Sequence, residues 1–330
     1  MSRPGRVSLA GRCAETVARE GMLPRGSRVL VAVSGGADSV CLLELLRVLA
    51  PRLELVLSGF HLNHRLRPVA AEDEAFAREL FERDGLALVV GRADVRGFAR
   101  RHRLGIEEAG RELRYRHLSR QARRLGCDRV ALGHTADDNL ETMILNLLRG
   151  AGTAGLRGIP AVRGIFVRPL IDLGRQDIED WLRARGAGWR EDESNADERF
   201  ARNLVRRRVV PALRELNPDP AAAGRRAARL LADEDDCLDR LAGEALARSA
   251  LRARSGTEID VAALLAYNVC LRRRMVRKLI PGLDSGGVER ALAFLAGRSR
   301  RLASAAGCVL TRQQSGRVRL EFNQKGIHGR

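Results

Sequence analysis

One segment constrains this chain more than any other: an apolar run that ends in a glycine turn and leads directly into a helix. Residues 29–33 are four valines and leucines with one alanine, a pattern typical of a strand buried on both faces. The turn Ser-Gly-Gly follows at 34–36, and a leucine-rich helix begins near Asp38. Backbone N–H groups at such a helix start can hold an anion, and glycine lets the backbone approach it closely. The segment therefore predicts a phosphate-binding loop.

The loop differs from two common nucleotide-binding sequences. It lacks the Gly-Lys-Ser/Thr of a Walker loop and the Gly-x-Gly-x-x-Gly of a dinucleotide fold. Its form, Ser-Gly-Gly-x-Asp-Ser, resembles the pyrophosphate loop of enzymes that cleave ATP between the α and β phosphates; a glycine-rich turn without function is the alternative. The carboxylate of Asp38 would repel a phosphate unless a cation lay between them, which suggests Mg²⁺. We predict that ATP binds through Ser34, Gly35, Gly36, Ala37, Asp38 and Ser39.

The charge of the chain indicates a polyanionic partner. Its 330 residues carry a formal net charge of +18 at pH 7, which favours nucleic acid, a merely basic surface being the alternative. No signal segment and no run of roughly 18 apolar residues is present, so we expect a cytoplasmic protein that does not bind membranes. The six cysteines are widely spaced and form no Cys-x-x-Cys pair, which gives no support to a zinc ribbon or a dithiol redox site.

Strand-like and helix-like segments alternate through the first half of the chain. This alternation predicts an α/β fold with a parallel, doubly wound sheet covered by helices on both faces. Beyond 217–220 the pattern changes to a long Ala/Leu/Arg helix at 221–250, shorter helices and two short β-type runs. We therefore expect a nucleotide-binding domain over residues 1–215 and a second, smaller, mainly helical domain over 216–330.

A second polar cluster follows the strand predicted at 129–132. Asp137 and Glu141 lie four residues apart, on one face of the next helix, and could hold Mg²⁺ or a substrate ammonium group. A helix-capping charge is the alternative for one carboxylate. Ligands of such sheets bind outside the carboxyl ends of the strands. We therefore assign His134 to the nucleotide, and Asp38 with Asp137 to the metal.

Three further segments carry basic or histidine side chains. Arg111 and Arg114 share a helix face and could reach a phosphate or a developing charge, although a solvated Glu/Arg helix would show the same spacing. His61 and His64 follow another strand, and we predict a base-contacting or structural role for them. Arg202 and Arg206 share a face of a basic helix that we expect to end at Pro211; that face contacts phosphate or is merely solvated. The glycine-rich stretch 150–160 predicts a mobile loop.

Together these motifs resemble the tRNA(Ile)-lysidine synthetase family, most strongly from residue 28 to residue 211. The most discriminating are His-Leu-Asn-His-x-Leu-Arg from 61, Leu-Leu-Arg-Gly-Ala-Gly from 147, and an Asp-x-Ser-Asn element from 192 followed by Arg202 and Asn203. Arg65 stands where the family usually has glycine. Long members of the family carry a further C-terminal domain, which we do not expect in this chain.

The resemblance implies an adenine-nucleotide α-hydrolase-like fold and a two-step reaction. ATP adenylates the wobble cytidine of tRNA(Ile) with a CAU anticodon, and free lysine then displaces AMP to form lysidine. The implied catalytic residues are Asp38, Asp137, Arg111 and Arg114. The implied substrate contacts are His64, Asp137, Glu141, Arg202, Asn203 and Arg206. The chain could form a homodimer. The alternatives to the lysidine reaction are sulfur transfer by another tRNA-modifying enzyme with the same loop, and the function of a non-catalytic RNA-binding relative.

Overall fold

The structure, a computed structural model, describes residues 8–63, 70–190, 201–253, 256–297, 308–313 and 316–322. The chain divides into two compact units, Met1–Arg229 and Leu230–Arg330. The division falls inside one long helix, Pro220–Ser249. The boundary predicted from the sequence, between residues 215 and 216, lies earlier in the chain.

The first unit contains a six-stranded sheet in the order β3-β2-β1-β4-β6-β5. Neighbouring strands are parallel except for the pair β5–β6. The chain therefore adds strands on one side of β1 and then on the other, which creates a topological switch point between β1 and β4. The strands are β1 (Arg28–Ala32), β2 (Val56–Asn63), β3 (Ala87–Arg92), β4 (Arg129–Ala131), β5 (Val162–Arg163) and β6 (Phe166–Val167).

Helices cover both faces of this sheet. Val29 and Val31 of β1 face the core formed with the first, second, third and eighth helices, whereas Leu30 faces the fifth helix. All three side chains are fully buried, which confirms the predicted doubly wound arrangement. The helices are α1 (Leu9–Arg19), α2 (Ala37–Leu53), α3 (Ala70–Arg83), α4 (Val95–His102), α5 (Ile106–Leu125), α6 (Ala136–Leu148), α7 (Thr153–Leu156), α8 (Arg175–Arg183), α9 (Ala201–Leu204), a π-helical turn (Val205–Val209), α10 (Val210–Leu216) and α11 (Pro220–Ser249).

Two predictions about local structure in this unit are wrong. Pro211 does not end the basic helix, because it lies in the first turn of α10, where a proline needs no intrahelical N–H bond. The glycine-rich stretch 150–160 is not only loop, since it contains α7. Two amide side chains of α6 hold it: Asn146 Nδ2 donates to the carbonyl of Gly155 (2.8 Å), and Asn139 Oδ1 accepts from the N–H of Ile159 (2.6 Å).

The second unit combines helices with a small sheet. Its strands are all antiparallel and lie in the order β7-β8-β10-β9. The sequence predicted the last two strands but not the first two. Among the described residues, no helix has the length and apolar character needed to cross a bilayer. The elements are β7 (Ala250–Ala253), β8 (Gly256–Ile259), α12 (Val261–Leu265), α13 (Val269–Leu279), α14 (Ser285–Leu295), β9 (Cys308–Arg312) and β10 (Val318–Phe322).

Close packing in the first core gives a stability prediction at Gly59 of β2. A Cβ atom there would lie 2.3 Å from Cε1 of Phe81 and 2.7 Å from Cδ1 of Leu88, and Phe81 is fully buried. We expect Gly59→Ala to lower the free energy of unfolding by about 1–3 kcal/mol through overpacking. Gly110→Ala in α5 is the matched control, because its Cβ would meet only Val95 at 3.8 Å. Urea unfolding of both variants checks this, and equal midpoints would contradict it.

Candidate functional site

The loop after β1 is held in shape by the side chain of Ser39. Its hydroxyl accepts from the N–H groups of Ser34 (3.2 Å) and Gly35 (3.1 Å) and donates to the carbonyl of Gly36 (2.9 Å). Gly35 has a φ of +95°, a conformation that favours glycine. Ser39 therefore braces the loop from inside. Phosphate binding by residues 34–39 stays a prediction.

The loop after β4 approaches the start of α2 closely. A Cβ on Gly133 would lie 3.1 Å from the carbonyl oxygen of Asp38, so glycine permits this approach. β1 and β4 are adjacent and parallel, and both loops leave their carboxyl ends. The two polar clusters found in the sequence thus meet at the switch point, where sheets of this kind bind ligands.

Asp38 stands at this meeting point with one oxygen unsatisfied. Its Oδ1 atom is buried without a hydrogen-bond partner, and its Oδ2 atom lies 3.4 Å from Nη2 of Arg175. Burial raises the pKa of Asp38 to about 6, although the charge of Arg175 opposes the rise. A buried carboxylate oxygen without a partner suits a Mg²⁺ ion that arrives with substrate phosphates, because such ions use one or two protein carboxylates.

Arg175, which the sequence analysis did not single out, supplies the local countercharge. It is the first residue of α8, and its Nη2 atom also lies 3.5 Å from Oδ1 of Asp138. Burial opposes its charge, but the nearby carboxylates of Asp38 and Asp138 prevail and raise its pKa. Its role depends on β6 pairing with β4, which brings the start of α8 to the switch point. The sequence offered only the start of a helix as a signal.

Asp137 caps a helix other than its own. Its Oδ2 atom accepts from the backbone N–H of Arg175 (2.7 Å), where α8 begins without a side-chain cap from Gly174. Its Oδ1 atom lies 3.2 Å from Nη2 of Arg214 in α10. Both oxygens of this buried carboxylate therefore have protein partners. Its predicted catalytic and metal-binding roles stay predictions, and a metal at Asp137 would displace these contacts.

Glu141, Arg202 and Arg206 form a compact ion-pair network. Glu141 is 1% exposed, and its carboxylate accepts from Nε of Arg202 (2.8 Å) and Nε of Arg206 (2.6 Å). The Nη2 atom of each arginine also lies 3.3 Å from Oδ1 of Asp138. Burial disfavours the charge on Asp138 most strongly, but Arg202 and Arg175 outweigh it and lower the pKa of Asp138.

This network changes the setting of three predicted substrate contacts. Arg202 and Arg206 were predicted to lie on phosphate, yet their guanidinium groups are directed at carboxylates of α6. Glu141 was predicted to hold an ammonium group, yet it already contacts two cations. Their binding of substrate stays a prediction. Asn203 lies between the two arginines in α9.

His134 is neutral in this environment. Burial lowers its pKa to about 3, and its Nδ1 atom lies 3.3 Å from Nε of Arg168. Because a guanidinium can only donate, Nδ1 is the acceptor and the ring proton sits on Nε2. His134 therefore offers one N–H donor across the neutral pH range, without needing a second proton.

Arg168 links this histidine to α5. It is 1% exposed and also donates to the carbonyl of Pro160 (2.7 Å) and the hydroxyl of Tyr115 (3.1 Å). The guanidinium of Arg111 lies 5.2 Å from the centroid of the Tyr115 ring. The predicted residue Arg111 thus lies beside the His134 cluster, and Arg114 is exposed on the same helix. The sequence did not single out Arg168, because its position after a strand does not show which residues its side chain contacts.

Of the two histidines predicted at the end of β2, the structure describes His61 but not His64. His61 is buried, and its Nδ1 atom donates to the carbonyl of Val33 (3.0 Å), which supports the end of β1. This is the structural role that the sequence left open. His64 and Arg65 lie outside the described residues, as does the segment 191–195. Within the described residues, no group of three or more His, Cys, Asp or Glu side chains could form a metal site.

The amino-acid sequence of this chain is similar to those of known proteins. Residues 10–213 match the PP-loop domain family. The chain is 44% identical over 278 residues to a tRNA(Ile)-lysidine synthase of Geobacter sulfurreducens, which covers 83% of this chain and 58% of that protein. It is 39% identical over 315 residues to a tRNA(Ile)-lysidine synthase of Symbiobacterium thermophilum, with 89% and 64% covered. The chain thus spans about six tenths of the length of these curated relatives.

A solved structure shares the fold. The U34-tRNA thiolase NcsA from Methanococcus maripaludis, solved with its [4Fe-4S] cluster, superposes with a TM-score of 0.56 and 17% sequence identity. The match covers 67% of this chain and 78% of that chain. At this identity the likeness concerns the fold alone.

Proposed function

The chain belongs to the PP-loop domain family, a family of ATP-binding domains, and from this premise we propose that it is a tRNA(Ile)-lysidine synthetase. The observation that carries the proposal is the meeting of the loop 34–39 and the cluster 133–141 at the switch point between β1 and β4. The similarity to lysidine synthases over more than four fifths of the chain supports the choice of substrate. The substrates are ATP, free lysine and tRNA(Ile) with a CAU anticodon.

In the first step, the oxygen of the wobble cytidine attacks the α-phosphate of ATP, and pyrophosphate leaves. The Ser39-braced loop binds the departing phosphates through backbone N–H groups other than those of Ser34 and Gly35, which donate to Ser39. Asp38 would hold the Mg²⁺ that accompanies ATP, and the ion would offset negative charge on the pyrophosphate. His134 donates a hydrogen bond from its Nε2–H group to a phosphate or adenylate oxygen, and Arg111 with Arg114 balances the charge of the intermediate.

In the second step, the ε-amine of lysine attacks the adenylated ring carbon, and AMP leaves. The attacking nitrogen must lose a proton to form the new C–N bond. The carboxylates of Asp137 and Glu141 attract the ammonium group, and one of them accepts that proton. The surrounding arginines hold these carboxylates in place.

Sulfur transfer through a cysteine of the first unit, the alternative enzyme reaction, is less well supported. A sulfur-transfer enzyme that uses a protein thiol needs it accessible and partly ionised. Cys13 and Cys41 of the first unit are fully buried, and burial raises the pKa of both. Cys127 is half-buried, and burial raises its pKa as well. A non-catalytic RNA-binding relative would not need the unsatisfied carboxylate of Asp38 beside the loop.

The raised pKa of Asp38 predicts how the first step depends on pH. The carboxylate must be ionised to hold a cation, and its pKa is about 6. We expect kcat/KM for ATP to fall about tenfold per pH unit below pH 6, because this parameter reports groups of the free enzyme. Pyrophosphate release measured from pH 5 to pH 8 checks this. The pKa of His134, about 3, lies outside this range; a level profile down to pH 5 would therefore contradict the role of Asp38.

The proposed function is tested by incubating the purified chain with a tRNA(Ile) transcript bearing CAU, ATP, Mg²⁺ and labelled lysine. We expect label in the tRNA and one AMP and one pyrophosphate per lysine incorporated. A transcript whose wobble cytidine is replaced by uridine is the control. ATP-dependent pyrophosphate release without lysine incorporation would favour another reaction of the same domain. If neither pyrophosphate nor labelled tRNA formed, RNA binding would be the only function left, and the proposal would be overturned.

A further inference from the structure

The arginines around the catalytic carboxylates do not provide a surplus of positive charge. Four arginines, Arg175, Arg202, Arg206 and Arg214, face four carboxylates, those of Asp38, Asp137, Asp138 and Glu141. This cluster is formally neutral. The attraction of a polyanion to a chain of net charge +18 must therefore come from other surfaces.

One such surface lies on α4. Arg96, Arg100 and Arg103 are spaced by four and three residues, so they share one side of the helix. All three are exposed, and none forms an ion pair with a residue that the structure describes. The nearby Arg92, by contrast, pairs with Glu74.

These arginines border an open groove of about 640 Å³, the α4 groove. Its remaining lining residues are Ala99, Leu104 and Ile106. The wall behind it is firm, because Phe98 and Ala99 of α4 pack against Ala109 of α5. The guanidinium of Arg116 in α5 lies 5.0 Å from the Phe98 ring centroid and joins the two helices further. The groove thus has an apolar floor and a cationic rim on a fixed pair of helices.

The backbone at Arg103 gives a second observation. This residue ends α4 with a φ of +56°, the left-handed conformation in which glycine is favoured over other residues. An arginine at this position costs stability relative to glycine but places a third cation on the groove. Its N–H still bonds the carbonyl of Ala99, so the turn itself does not require arginine.

We propose that the α4 groove binds phosphates of the tRNA backbone while the anticodon base occupies the switch point. Ile106 lines the groove and begins α5, which carries Arg111 about 7.5 Å further along the helix axis. Three cations over about 10 Å of α4 suit a polyphosphate chain rather than a single anion. The identity of the RNA rests on the proposed function.

The experiment uses Arg103→Gly, which removes a charge and relieves the left-handed strain. We expect an unchanged or higher Tm together with weaker binding of the CAU-bearing tRNA(Ile) transcript. The slope of log Kd against log salt should flatten by about one unit, and by about two to three units in the triple variant Arg96→Ala, Arg100→Ala, Arg103→Gly. KM for tRNA should rise while kcat and the affinity for ATP stay the same.

Arg52→Ala is the matched control, since Arg52 is an exposed arginine near the end of α2 without a described ion pair. It makes the same change in net charge and should leave the slope unaltered. An unchanged slope in the triple variant would overturn the inference. Loss of poly-glutamate binding with intact affinity for RNA would also overturn it, and would indicate that the groove binds an acidic protein. Lysidine formation by the unaltered chain is scored separately. If no lysidine forms while the slope still flattens in the variants, the proposed function is wrong, but RNA binding by the α4 groove is still supported.

Discussion

Asp38→Asn is expected to slow pyrophosphate release by about 10²–10³-fold, the cost of losing one strong electrostatic contact to a developing charge. Asparagine keeps the size and one oxygen of the side chain but cannot hold the cation with a negative charge. The unsatisfied Oδ1 atom of Asp38 is the feature that makes this residue, among the carboxylates of the cluster, the one available to a new partner.

The fold should survive this substitution. A carboxyl whose pKa is raised to about 6 stabilises the folded state below its unfolded pKa, and this contribution is lost as pH rises through 6. At neutral pH the ionised carboxylate of Asp38 therefore does not stabilise the folded state, and the asparagine variant should have an equal or higher Tm. Asp94→Asn is the matched control: it makes the same charge change at the start of α4, where asparagine caps a helix as well as aspartate does. A variant of Asp38 that is folded and releases pyrophosphate at the rate of the unaltered chain would refute the assignment.

Much of the fold could be predicted from local sequence. The sheet is doubly wound as the alternation of strand-like and helix-like segments indicated, and β1 is buried on both faces as its apolar run indicated. Strong periodicity and clear end signals explain these successes. The two-residue strands β5 and β6 and the pair β7–β8 were not predicted, because such short strands exist through their pairing rather than through their own pattern.

The site was predicted in part for a related reason. The sequence located the loop 34–39 and the cluster 133–141, because each follows a recognisable strand. It did not identify Arg175 or Arg168, whose roles follow from the position of β6 beside β4. It also did not show that Arg202 and Arg206 face Glu141, since periodicity places residues on a helix face but does not identify what that face contacts. The partner of a charged side chain is set by strand order and helix packing, which this sequence alone did not reveal.

The second large effect is expected from the ion-pair network of α6. Replacing both Arg202 and Arg206 with alanine leaves Glu141, which is 1% exposed, without its two cations. Removing the partners of a buried charge costs about 3–5 kcal/mol of unfolding free energy. Glu141→Ala should cost less than the double arginine variant, because each arginine side chain is about a quarter exposed and can turn toward water. Urea unfolding followed by circular dichroism measures both.

A double-mutant cycle separates this structural role from binding of lysine. If Glu141 acts through the two arginines, the losses in Glu141→Ala and Arg206→Ala will overlap, and the combined variant will be more stable than their sum predicts by over about 1 kcal/mol. Glu141→Gln keeps the shape and an acceptor oxygen, so it should recover part of the stability but not lysine incorporation if the charge itself binds the ammonium group. Full lysine incorporation by a stable Glu141→Gln variant would assign the carboxylate to holding α9 and the π-helical turn against α6, and Asp137 would then be the remaining candidate for the ammonium group.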